Sequence, residues 1–160
     1  MKKAHLLLTA VFMSIIFLPA CAQNNPGTKG EKVLIKNGDN CLALMEQAAR
    51  EMSVKGVALI AFIPGDSTTN WISKMSVVGA LRNNSANYLA FAYSKAAEMA
   101  DLYKDSGSKT RDPIHGEFGY QGGIIKKVDS GYILAVFSGA SGDQDAELAN
   151  KGLDCLYKFY

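Results

Sequence analysis

The chain is poor in the residue types from which many active sites are built. It has three cysteines, two histidines, four prolines and one tryptophan in 160 residues. His5 falls in a leader-like segment, so His115 is the one imidazole left for the rest of the chain. That excludes a multi-histidine metal site, and CxxC, HExxH and GxGxxG are all absent. The nucleophile elbow G-x-S-x-G is missing as well. Charge of either sign is not in excess once the leader is set aside. The 17 basic residues lose Lys2 and Lys3 with it, leaving 15 against 15 acidic ones. No basic cluster beyond Lys126-Lys127 occurs, which argues against nucleic acid as partner, because that binding rests on phosphate neutralisation.

What is present begins with an export signal. Lys2 and Lys3 precede an uncharged apolar run, Leu6 to Leu18, too short to span a bilayer as a mature helix. Residues 1–20 therefore read as a signal peptide, and the chain is expected in the periplasm or cell envelope. Two processing patterns overlap. Leu18-Pro19-Ala20-Cys21 fits a lipobox, with Cys21 lipidated and anchoring the protein to the membrane. Ala20-Cys21-Ala22 fits an A-x-A site with Gln23 as the first mature residue. In an oxidising compartment Cys41 and Cys155 can close a disulfide; the alternative is two buried thiols packed as small hydrophobes.

Residues 21–32 read as a polar linker and 33–160 as one domain, within the size of a single core. Val33-Leu34-Ile35 suggests a short first strand. Asp39 or Asn40 offers a cap for a helix from Cys41 to Ser53, where Cys41, Leu44, Met45, Ala48 and Met52 recur at helical spacing. The continuous apolar run Val57 to Ile63 predicts a strand covered on both faces. Trp71 to Val78 alternates, and Pro64-Gly65-Asp66 turns between the two. Ser85 is placed to cap a helix from Ala86 to about Asp105. Gly122 to Val128, Asp129-Ser130-Gly131 and Tyr132 to Ser138 predict a hairpin. Ser141 with Gln144 forms a capping box for a C-terminal helix. The order (β)-α-β-β-α-β-β-α implies an α+β fold, an antiparallel sheet of four to five strands flanked by helices.

Few residues suggest chemistry. His115 sits in a Gly- and Pro-containing loop, and is either an exposed loop residue or an axial ligand to haem iron or a pocket base. Gly122-Gly123 at a strand start points to a bend or a close backbone approach, to a ligand or to another subunit. Ser138 to Asp143 is a junction of small residues where a phosphate could sit, but Asp143 and Asp145 oppose an anion there. Trp71, Met75, Tyr88, Phe91 and Met99 line a pocket or fill a core.

The stretch Gly122-Gly123-Ile124-Ile125, Val128 to Tyr132, Val136 to Ala140 and Gln144 to Ala149 resembles the GlcG/HbpS family of haem-binding proteins. Upstream, Asp66, Asn70, Met75, Gly79-Ala80 and Ser94-Lys95-Ala96 are similar to its pattern more loosely. The likeness covers roughly residues 40–157. Ile125 replaces the family's usual proline, and Lys74 to Ala80 departs from its usual segment. The resemblance implies homo-oligomers and binding of haem or a related small molecule. A haem-binding role would need Met75, Lys95, Gly122 and Gly123 near the ligand, with His115, Met75 or a tyrosine on the iron and Lys95 or Arg82 on the propionates. A non-enzymatic haem- or small-ligand-binding role comes first from these residues. A haem-degrading enzyme and an oligomeric interaction module without ligand are the alternatives, since no catalytic constellation is visible.

Overall fold

The computed structural model describes residues 28–160. Seven elements follow in order: α1 (Lys29–Glu51), β1 (Gly56–Pro64), β2 (Ile72–Val78), α2 (Tyr88–Leu102), β3 (Gly123–Val128), β4 (Gly131–Ser138) and α3 (Gly142–Tyr157). The strands form one antiparallel sheet in the order β2-β1-β4-β3. The fold is α+β, as the alternation of periodicities predicts. The expected signal peptide, Cys21 and the first part of the expected linker lie outside the described residues.

The first element differs from expectation. Val33-Leu34-Ile35 belongs to α1 and not to a strand, and the expected linker residues from Lys29 onward are helical. The true cap is Thr28, in a capping box with Glu31. Gly30 and Gly38, poor helix formers, stand where another element packs closely on the helix. A side chain at Gly30 would enter the Phe62 ring, and one at Gly38 would meet Ile60 at 3.0 Å. Packing thus overrides intrinsic propensity.

The sheet is covered on both sides. Ala58, Ile60, Phe62, Ile133, Ala135 and Phe137 face α1 and α3, while Val57, Leu59, Ala61, Ile63, Leu134 and Val136 face α2. The period of two in β1 and β4 therefore serves two cores, and their apolar runs are continuous for that reason. Cys41 on α1 and Cys155 on α3 are joined by a disulfide with Cα atoms 5.5 Å apart. The β3–β4 connection is tighter than the three residues expected: Val128 pairs with Gly131, leaving Asp129-Ser130 as a two-residue turn. In α3, Ser141 and Gln144 form the capping box. In α2 the cap is Asn87, whose side chain accepts from Ala90 N at 3.1 Å, two residues beyond the expected Ser85.

Candidate functional site

Helix α2 buries polar side chains beside its apolar stripe: Ser94, Lys95 and Glu98. Two of them hold the loop 103–122 that follows. Ser94 Oγ accepts from Phe118 N at 3.0 Å and Glu98 Oε1 from Gly107 N at 3.0 Å. Arg111 forks onto Glu117 at 2.7 and 2.9 Å and reaches Asp101 at 2.6 Å. Those hydrogen bonds from Arg111 hold the Glu117 carboxyl below the usual glutamate range. Ser106 and Asp105 cap the free edge of β3 by accepting from Gly123 N and Ile125 N, each at 2.9 Å. The long loop is therefore a built wall of the domain.

Lys95 points the other way, to the junction of β4 and α3. Its ammonium donates to Asp145 Oδ2 at 2.7 Å and to Phe137 O at 2.9 Å. Asp145 Oδ1 accepts from Ala140 N at 2.9 Å. Each side chain is only 4% exposed. Burial pushes the Lys95 ammonium down from its ordinary value and the Asp145 carboxyl up, and their mutual attraction opposes both shifts. Gly122 lies against this pair. Its φ of +120° and the space there both demand glycine: a Cβ would come within 2.5 Å of Lys95 Nζ and 2.5 Å of Asp145 Cβ. The close approach read from Gly122-Gly123 is thus to a buried ion pair. Gly123 approaches Met99, whose Cε would lie 2.6 Å from a Cβ.

Above the pair opens a cavity of about 800 Å³. Lys95, Asp145, Gln121 and the small residues Ser138, Gly139, Ala140 and Gly142 line its polar end, with Tyr88, Phe91 and Tyr120 as aromatic walls. Phe91 packs on Tyr120 and Phe118 with ring centroids 5.5 and 4.7 Å apart. Lys109 and Asn83 also border it.

The structure brings together only part of the predicted set. Lys95, Tyr88 and Phe91 line the cavity, and Gly122 supports it from below. His115 is exposed on the 103–122 loop and is not among the lining residues. Met75 packs from β2 against the α2 side of the sheet, and Met99 is core. Trp71 borders a different, shallower pocket with Tyr93, Ala97 and Ala100. Arg82 is exposed. Tyr120 and Gln121 join the site without a sequence signal that singles them out, and Asp145 joins it in a role other than the one its sequence suggests. Asp145 reads in sequence as one more acid in a helix start, and its turn inward is visible only once Lys95 is opposite.

The donor set bears on a metal or haem. Among the described residues no cluster of three His, Cys, Asp or Glu side chains could hold a metal ion. The cavity lining has no histidine, methionine or cysteine. A haem ligated by His115 or Met75 therefore does not fit this cavity; among the lining residues Tyr88 and Tyr120 are of a type that can ligate haem iron.

No family model matches the chain, and no curated protein matches it. Two solved structures share its fold. The Klebsiella pneumoniae protein ORFY, described as DUF336, aligns with a TM-score of 0.56 at 17% identity, over 79% of this chain and 91% of its own. The Ybr137w protein aligns with a TM-score of 0.53 at 12% identity, over 78% of this chain and 79% of its own. The fold is thus that of the DUF336, GlcG-like proteins.

Proposed function

We propose that this chain is an exported, envelope-held protein that binds a planar small molecule in the cavity at the β4–α3 junction, with haem the first ligand to test. The cavity carries the reading: about 800 Å³, walled by Tyr88, Phe91 and Tyr120, and floored by glycines and a buried ion pair. The leader sequence and Cys21 support placement at the cell envelope. The GlcG-like fold is compatible with small-ligand binding, although fold alone does not assign function. Aromatic walls suit a flat ring, since stacking is sequence-tolerant and favours planar faces.

The test is a haemin titration of the chain from Gln23 onward, with serum albumin as competitor. This chain contains every element of the sheet, all three helices and the disulfide, so it carries its whole core without the leader. A saturable Soret band that Tyr120→Ala weakens and His115→Ala leaves intact is the expected result. A band lost in His115→Ala, or unaffected by Tyr120→Ala, would move haem out of this cavity. A weak, non-saturating shift would remove haem as the ligand.

A further inference from the structure

Lys95 does more in this cavity than close an ion pair. An ammonium carries three donors. Phe137 O and Asp145 Oδ2 take two of them, at 2.9 and 2.7 Å. The side chain is 4% exposed and lines the cavity, and no protein acceptor among the described residues takes the third. Buried donors in proteins are generally paired. The partner for this one is whatever fills the cavity.

Resting on the cavity-binding reading above, we infer that the ligand presents an oxygen acceptor, best a carboxylate, to the third N–H of Lys95, with its ring between Tyr88, Phe91 and Tyr120. Asp145 does not defeat this. Its Oδ2 accepts from Lys95 and its Oδ1 from Ala140 N, so donors on both oxygens offset its charge. Lys109 also borders the cavity and is in no ion pair among the described residues. Lys95, Asp145 and Lys109 together leave the lining one unit positive. A ligand with a negative charge is favoured over one with a positive charge at this end by that net charge.

Two probes with one ring separate the possibilities: 2-naphthoate and 2-(aminomethyl)naphthalene, titrated into the chain from Gln23 onward. Naphthoate is expected to bind at least ~10-fold more tightly than the amine, the scale of one hydrogen bond to a charged group. The double variant Lys95→Met/Asp145→Asn removes both charges of the pair at once, so the net charge of the lining is unchanged. The amide oxygen introduced by Asp145→Asn can still accept from Ala140 N. If this variant keeps the wild-type circular dichroism but loses the preference for naphthoate, the hydrogen bond and not the overall field is responsible. Equal binding of the two probes, with Tyr120→Ala weakening both, would overturn the role of Lys95 and leave the cavity reading standing. No binding of either probe would overturn both. Should the double variant fail to fold, the Lys95 side-chain ¹⁵N resonance of the wild type decides. It is expected to shift on addition of naphthoate and not of the amine, and an unmoved resonance overturns the inference.

Discussion

Lys95 Nζ lies 2.7 Å from Asp145 Oδ2, fifty residues away in the chain, with each side chain 4% exposed. A buried pair of this kind adds little net stability, because desolvation offsets attraction, but breaking it leaves one charge uncompensated. Lys95→Met should cost about 3–5 kcal/mol. Lys95→Met/Asp145→Asn should recover most of that loss. The single variant should also show a distinct pH dependence. Burial already raises the Asp145 carboxyl, and removing Lys95 removes the main opposing influence. The folded state then holds the Asp145 proton more tightly than the unfolded state does. The lost stability should return as pH falls through that raised value. Urea melts at neutral and mildly acidic pH measure this. A deficit that does not shrink on acidification would show that Asp145 is not the group left unpaired.

The pair also shows what sequence reading reaches here. The sheet, its hairpins and the capping box at Ser141 were legible because each is written in local periodicity and turn chemistry. The start of α1 was not, although Thr28 and Glu31 stand at capping-box spacing. Gly30, Gly38, Asn37 and Asn40 speak against a helix, and the Phe62 ring that requires Gly30 lies on another element. The site was half legible. Lys95 and Gly122 came from family likeness and from an unexplained glycine. Tyr120 carried no signal of its own, and Asp145 only that of an acid at a helix start, because a cavity wall is set by which distant segments meet. His115 stands out in the sequence as the lone imidazole, and scarcity proved a poor guide to position.

Gly122→Ala should be more damaging than Gly116→Ala, although both glycines have positive φ. At Gly122 the new Cβ meets Lys95 Nζ and Asp145 Cβ at 2.5 Å, whereas at Gly116 (φ +94°) nothing lies within 4 Å. Backbone strain alone should cost about 1–3 kcal/mol at Gly116. Strain plus overpacking of the ion pair should cost about 2–6 kcal/mol at Gly122. Thermal melts of the two variants test the contrast directly. Equal losses would mean that the ion pair yields to make room.

The disulfide should matter through the loop it closes. Cys41 and Cys155 are 114 residues apart in sequence, on the two helices that cover one face of the sheet. By the chain-entropy model, a link across a loop of this size stabilises by about 4–5 kcal/mol. Cys41→Ala/Cys155→Ala should lower the denaturant midpoint accordingly, and reductant should do the same to the wild type and nothing to the variant. Thiol titration of the unfolded, unreduced chain from Gln23 should find no free thiol. Two free thiols there would show that the bridge is not formed in the isolated protein.

Glu117 ties the loop to the cavity. Its carboxylate accepts both fork nitrogens of Arg111 and also Ile114 N at 3.2 Å, and the same loop carries Tyr120 and Gln121 into the wall. The carboxyl titrates below the ordinary glutamate range because Arg111 favours its charged form. A lowered folded-state value contributes stability above the unfolded value and loses it as pH falls through the folded one. The clamp should therefore hold at neutral pH and release only under acid conditions below that ordinary range. Glu117→Gln removes the charge at every pH. It should speed amide exchange at Ile114 and Phe118 and weaken ligand binding, while leaving the sheet amides protected, because the clamp orders a wall and not the core. If exchange in the loop stayed slow, the hydrogen bonds from Ser94 to Phe118 and from Glu98 to Gly107 would be sufficient on their own. The Arg111–Glu117 pair would then be an ornament of the surface rather than the latch of the cavity.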